Sequence, residues 1–344
     1  MLNDETRKEL EKQQYRLVGN HSAVKICGWT KKMIKGEGCC YKERFYGIMS
    51  NQCLQMTTAL SCANRCQFCW RGYKAPVSIK WEGPIDEPNT IIDGCMEEHH
   101  DLLAGLKGYK KVNMGAYERS KNIRHVALSL TGEPIIYPKI NEIISEFHRR
   151  KISTFLVTNA QYHEEINNLG PVTQLYLSIG APNKELLKEI EKPLFPDYWE
   201  RLHKSLENLA KKKHRTCIRL TMVKDMNMTE PQGYAELIKK GDPDFVEAKA
   251  YMFVGASRQR LKLENMPYHH EVMEFTKKLI EYLPDYEIAS EHEPSRVVCL
   301  AKKKFKKDGR WHTWIDFKRF FHLIEAGEEA ADYNRLMPEA FEYV

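Results

Sequence analysis

The sequence predicts an α/β fold, an open, partial (βα)6 TIM-like barrel, on three observations. Short β-rich runs alternate with helical patterns through the middle of the chain, which implies a parallel sheet covered by helices. Six such units are too few to close an eight-stranded barrel. Polar and small residues gather where the runs end, the place ligands take in sheets of this kind.

The first strand is residues 52–59, and residues 89–106 follow as a crossover helix with Ile91, Ile92, Met96, Leu102 and Leu106 on its apolar face. Runs at 125–131 (HVALSLT), 154–159 (TFLVTN), 174–179 (QLYLSI), 216–223 (TCIRLTMV) and 245–254 (FVEAKAYMFV) supply the other strands. Between them, Ile136, Ile140, Ile143, Ile144 and Phe147 repeat at helical spacing, as do Tyr198, Leu202, Leu206 and Leu209 behind a Pro196-Asp197 start signal. The organisation expected is an N-terminal extension (1–51), the barrel (52–300) and a basic, aromatic C-terminal helical tail (301–344). In that tail Trp311, Trp314, Ile315, Phe317, Phe320 and Phe321 fit an amphipathic helix packed on the barrel.

No apolar run approaches the roughly 20 residues of a bilayer span, and the charged start is unlike a signal peptide, so a cytoplasmic protein is expected. Fifty-three basic against 47 acidic residues give a net charge of +6, which permits an anionic partner without requiring one. Ten cysteines are the sharper anomaly, because seven of them lie between Cys27 and Cys69. In a reducing cytosol such crowding points to metal ligands or catalytic thiols before disulfides.

Cys62, Cys66 and Cys69 form CxxxCxxC directly after the first strand. Three thiolates on one tight loop can hold three irons of a [4Fe–4S] cube and leave the fourth open. Zinc competes for thiolates but usually draws on paired CxxC arms. Upstream, Cys27, Cys40 and Cys53 precede the barrel in a strip containing Gly36, Gly38 and Gly47, flexible enough to fold over the barrel mouth. Cys39 is an alternative to Cys40, since neighbouring side chains on an extended chain point opposite ways.

The motif with Phe68 before its last cysteine, at the end of a first barrel strand, resembles the radical S-adenosylmethionine (SAM) superfamily. The resemblance implies an iron that chelates SAM and an electron that cleaves it to methionine and a 5′-deoxyadenosyl radical. It also implies that Gly132 and Glu133, in Gly132-Glu133-Pro134, meet the SAM amino group, and that Asn159 and Ser178 are polar contacts to its ribose and carboxylate. Gly180, in LSIGAP, stands where a larger polar residue would make a further contact.

SAVKICGWTKK, CCYKERFYGI, QCLQMTTALSCANRCQFCWR and AYMFVGASRQRLKLENMPYH together resemble the tRNA 4-demethylwyosine synthases over residues 21–266. That family condenses pyruvate carbons onto N1-methylguanosine beside the anticodon of phenylalanine tRNA. The resemblance implies a second [4Fe–4S] cluster on Cys27, Cys40 and Cys53 that can hold pyruvate, and a Schiff base between pyruvate and Lys42. Only 26 residues precede Cys27, which resembles the short archaeal form without a flavodoxin-like domain and implies an external electron-donor protein; a monomer is expected.

Each assignment has a plainer competitor. Lys42 could be a solvated surface lysine, and Glu133 a first-turn acid favoured by a helix dipole. The pairs His99-His100 and His269-His270 face different ways on helices and are not read as metal ligands, and Cys95, Cys217 and Cys299 read as core. Arg258 and Arg260, leaving the last strand, are the favoured tRNA contacts, ahead of lysine runs that usually form solvated faces. Two other functions stay open at this level: another two-cluster radical SAM enzyme, such as a methylthiotransferase or a maturase, and a zinc-stabilised RNA-binding protein.

Overall fold

The computed structural model describes residues 4–72 and 75–343. Helix α1 (Asp4–Lys12) leads into the hairpin β1 (Arg16–Val18) and β2 (Ser22–Val24), followed by the short helices α2 (Gly28–Ile34) and α3 (Tyr41–Tyr46). Strand β3 (Cys53–Thr57) opens the barrel. Helices α4 (Pro88–Ala104) and α5 (Met114–Ser120) cross to β4 (His125–Leu128). Pro88 sits in the first turn of α4, where its missing N–H is not needed, and the Asn113 side chain caps α5 by accepting from the Ala116 N–H. The alternation continues through α6 (Ile140–Arg149), β5 (Ser153–Thr158), α7 (His163–Asn168), β6 (Gln174–Ile179), α8 (Lys184–Glu191), α9 (Tyr198–Ala210), β7 (Thr216–Met222), α10 (Pro231–Gly241) and β8 (Phe245–Ala250). Then come α11 (His269–Ile280), β9 (Tyr286–His292), β10 (Val297–Lys302) and α12 (Phe317–Glu325).

Strands β3 to β8 are the six parallel strands predicted. Four antiparallel strands that the alternation did not foresee extend the sheet, β1 and β2 beside β3, and β10 and β9 beside β8. Period-2 alternation sorts the strand residues between two cores. Leu54, Val126, Leu156, Leu177 and Val246 face the covering helices, while Phe155, Tyr176, Cys217 and Phe245 face the lumen. Cys95, Cys217 and Cys299 are buried as read from the sequence.

The lumen is filled by α3 and the tail. Tyr41, Phe45 and Tyr46 of α3 are buried there with Trp311, Ile315, Phe320 and Tyr333. The aromatic face of α3, which follows the strip around Gly36 and Gly38, is drawn into the barrel interior. The amphipathic helix expected from Trp311 to Phe321 forms only from Phe317. Gly309, in the left-handed region at φ 77°, turns the chain so that Lys306 pairs with Trp311, and the Asp316 side chain starts the helix by accepting from the Arg319 N–H. Arg215 fixes the tail to the barrel: its guanidinium donates to Gln174 Oε1 (3.1 Å), Thr313 O (2.7 Å) and Asn334 Oδ1, and its backbone N–H to Tyr333 Oη (2.9 Å). Trp314 Nε1 donates to Arg44 O at 2.9 Å, tying the tail to α3 as well.

Candidate active site

The loop after β3 carries Cys62, Cys66 and Cys69, all half-buried and free. It is held from outside by the end of α8. The Arg65 N–H donates to Glu191 O (3.0 Å) and the Gln67 N–H to Ile190 O (2.8 Å), while the Leu194 N–H donates to Ala63 O (2.8 Å). Glu191 itself is buried and accepts from Asn64 Nδ2 at 2.8 Å. A Cβ at position 180 would stand 2.5 Å from Glu191 Oε1, so Gly180 makes room for that carboxylate. Burial pushes the Glu191 carboxyl up to about 8. Arg71 donates to Leu60 O (3.0 Å), Pro76 O (2.9 Å) and Asn64 O (3.3 Å). Arg260 donates to Gln67 O (2.9 Å) and to Cys69 O. Burial raises the Cys62 thiol to about 11 against the pull of Arg71, so metal binding here must release protons.

The strand ends beside this loop supply the polar groups. Gly132 has φ 68°, and a Cβ there would lie 1.9 Å from Ala59 O; only glycine brings these two turns together. The Glu133 N–H then donates to Ser61 O at 2.8 Å. The Glu133 side chain is 2% exposed; Oε2 accepts from the Asn159 N–H at 3.0 Å, and Oε1 is buried without a partner. Burial pushes this carboxyl up to about 8. Asn159 Nδ2 reaches Cys62 Sγ at 3.5 Å. One residue beyond the Thr158–Leu177 pair, the same register sets Asn159 beside Ser178, itself paired with Arg219 on β7. Four of the predicted residues, Cys62, Glu133, Asn159 and Ser178, thus share one corner of the mouth. An orphaned buried carboxylate oxygen beside three free thiols fits a ligand that brings its own ammonium group.

The second set is assembled differently. The antiparallel register Ala23–Thr57 and Val24–Met56, continued by the bond from the Lys25 N–H to Gln55 O, carries Cys27 opposite Cys53. Cys40 joins them as the residue before α3, its N–H donating to Ser50 Oγ at 2.8 Å. Burial, then Cys27, push the Cys40 thiol up, and Cys53 is raised by burial to about 12. Cys39 instead has Glu43 and Arg44 as its charged neighbours, so Cys40 is the one that faces the set.

Lys42, two residues on, is half-buried with Nζ 4.5 Å from the Tyr176 ring centroid and 5.4 Å from that of Phe155. It is not a solvated surface lysine. Burial and then the nearby Arg219 guanidinium lower its pKa, which favours the free amine. Arg219 Nε donates to Glu247 Oε2 at 3.0 Å, and Tyr46 Oη donates to Glu247 Oε1 at 3.0 Å. Lys249 is lowered by burial to about 8. Sequence reasoning missed Arg71, Glu191, Arg219, Glu247 and Lys249. The signal for the last three was there: charged residues at lumen-facing positions of otherwise apolar strands.

The two arginines after β8 separate. Arg258 is exposed over the Phe253 ring at 5.5 Å, its Nε donating to Phe253 O at 3.0 Å, whereas the Arg260 guanidinium is turned onto the cysteine loop. A further cavity of about 750 Å³ beyond β9 is lined by Tyr268, His269, Glu291 and Arg296. His269 Nε2 lies 2.6 Å from Glu291 Oε2. Among the described residues no helix is long and apolar enough to cross a membrane.

Residues 56–238 match the family model described as the radical SAM superfamily, and residues 240–302 the one described as wyosine base formation. The human S-adenosyl-L-methionine-dependent tRNA 4-demethylwyosine synthase TYW1 is 46% identical over 331 residues, covering 96% of this chain and 45% of the relative. The Schizosaccharomyces pombe synthase is 47% identical over 338 residues, covering 96% and 49%. The chain spans about half the length of the curated relatives it matches. A solved structure of TYW1 with a lysine–pyruvate adduct bound superposes with TM-score 0.80 at 35% identity, covering 88% of this chain and 97% of that one. A crystal structure of archaeal TYW1 gives 0.73 at 31%, covering 90% and 99%.

Proposed function

The chain belongs to the TYW1 family of the radical SAM superfamily, and from that premise we propose that it is a tRNA 4-demethylwyosine synthase. In this reading it condenses pyruvate with N1-methylguanosine next to the anticodon of phenylalanine tRNA and releases methionine and 5′-deoxyadenosine. SAM and an iron–sulfur cluster follow from the family, and Cys62, Cys66 and Cys69 are the ligands we assign to that cluster. Bound there, cluster and SAM would supply the radical that removes a hydrogen from the N1-methyl group. We assign a second [4Fe–4S] cluster to Cys27, Cys40 and Cys53.

The remaining roles belong to the chain's own groups. Gly132 lets the Glu133 carboxylate approach the cysteine loop, where its unpartnered Oε1 can accept from the SAM ammonium. Asn159 and Ser178 offer polar atoms at the adjacent strand ends. The Lys42 amine, its pKa lowered by burial, adds to the ketone carbon of pyruvate; a C–N bond forms and the ketone oxygen leaves as water. Enclosure by α3 and the tail keeps water from the reacting groups. Arg258 is the arginine we retain as a tRNA contact. The division into a ligand-bearing extension (1–51), a barrel (52–300) and a tail (301–344), an external electron-donor protein, a monomeric state and a cytoplasmic location complete the proposal.

The observation that carries the reading is Lys42, a lysine held between two aromatic rings beside the second cysteine set. The test is an anaerobic assay with SAM, pyruvate, a chemical reductant and N1-methylguanosine-containing tRNA. A tricyclic base together with deoxyadenosine is expected. Deoxyadenosine without any base product in the presence of pyruvate would refute the substrate assignment, and a colourless, iron-free protein would refute the enzyme.

A further inference from the structure

The lumen around Lys42 holds a guanidinium that is only partly answered. Lys42, Arg219 and Lys249 converge there, with Glu247 as the acid among their neighbours. A buried guanidinium nitrogen with no acceptor calls for one from outside the chain. Burial lowers both lysines toward the free amine. Arg219 is different. The groups that bear most on it are Tyr41, Glu247, Tyr176 and Cys217. Its Nε is engaged by Glu247, but Nη2 is buried with no partner. Arg219 Cζ lies 4.7 Å from the centroid of the ring that Lys42 Nζ approaches at 4.5 Å. Glu247, fixed by Tyr46, fixes the guanidinium in turn.

We propose that Arg219 is the carboxylate-binding residue of this pocket, so that Lys42 and Arg219 together select a 2-keto acid over a neutral ketone. The inference rests on the Schiff-base role given to Lys42 and deepens it. In pyruvate the carboxylate is one bond from the ketone carbon, so an imine on Lys42 leaves the carboxylate beside Lys42 for the free Nη2 to grip. A charge-assisted hydrogen bond of that kind also orients the imine in one way. Ser178, paired with Arg219 across β6 and β7, places this pocket on the side of the lumen that faces the SAM corner.

The test compares pyruvate with methyl pyruvate, which keeps the ketone and lacks the charge. Reconstituted protein is treated with either compound and borohydride, and the reduced adduct on the Lys42 peptide is quantified by mass. The variant is Arg219→Met with Glu247→Gln, which removes the ion pair as a unit; Glu247→Gln alone controls for the effect of that acid on Lys42 and Lys249, and Arg219→Lys is the conservative partner. At subsaturating pyruvate the double variant should lose about tenfold or more of the adduct, as expected for one charged hydrogen bond. Methyl pyruvate should be trapped as in the unsubstituted protein, and Arg219→Lys should recover part of the pyruvate adduct. Equal losses for both compounds, or undiminished pyruvate trapping, would overturn the role of Arg219 alone. No adduct in the unsubstituted protein would overturn the Schiff-base reading and this inference with it.

Discussion

The two cysteine sets are held by opposite means. Cys62, Cys66 and Cys69 lie within eight residues on one loop, fastened by backbone bonds to α8 and by two arginines that grip its carbonyls. Cys27, Cys40 and Cys53 come from three elements and meet only because β2 pairs with β3 and α3 is buried under the tail. Their surroundings also differ in kind: buried carboxyls at Glu133 and Glu191 beside the first, half-buried basic groups at Lys42, Arg219 and Lys249 beside the second. A local site survives distant damage, whereas an assembled one inherits the stability of everything that assembles it.

The largest effect should come from the tail clamp. Arg215→Met strands the acceptors at Gln174, Thr313 and Asn334 and should cost about 3 kcal/mol in urea unfolding. Iron should fall from about eight to about four per chain, with the second set emptied first. Equal loss from both sets would break the contrast between them.

Gly132→Ala acts on the other side. A Cβ 1.9 Å from a carbonyl oxygen in a left-handed backbone should cost about 2 kcal/mol and abolish SAM binding by calorimetry. Borohydride trapping at Lys42 should persist, since the second set is built from other elements.

Alkaline and acid titrations of iron-free protein should separate the regions by sign. Glu133 titrates near 8 in the fold against 4.5 as its ordinary value, so the native state holds more protons and stability falls as pH rises from 4.5 to 8. Lys249 titrates near 8 against 10.5, so the native state holds fewer protons and stability rises from pH 8 to 10.5. Each slope is at most about 1.4 kcal/mol per pH unit per group. Glu133→Gln should reduce the first limb, which Glu191 shares, and Lys249→Met the second, which Lys212 shares, read from urea midpoints; a variant that reduces the wrong limb would invert the assignment.

Gly180→Ala is the smallest. The Glu191 carboxylate 2.5 Å from the new methyl can move, so about 1 kcal/mol is expected in urea unfolding, with faster iron loss from the first set to a chelator.

What the sequence made legible follows the same divide. The six parallel strands and the polar strand ends could be read, because apolar runs and periodicity are local signals. So could CxxxCxxC. The β1–β2 hairpin and the β9–β10 pair escaped, since three-residue strands and antiparallel edge additions leave little pattern. The tail was misread because Trp311 and Trp314 fall at helical spacing while Gly309 and Asp316 cut the segment. Arg260 reads as a tRNA contact from its place after β8; only the folded chain shows its guanidinium turned to a loop nearly two hundred residues earlier.

That contact, with the tail clamp, bears on how the protein is made. The loop of Cys62 to Cys69 does not gain its last fastening until Arg260 has been made, and α3 is not seated until Thr313 to Tyr333 have followed. Long-range closures of this kind come late in folding. The three thiols of the first set are together in sequence from the start, whereas those of the second meet only once the barrel sheet and the tail have formed.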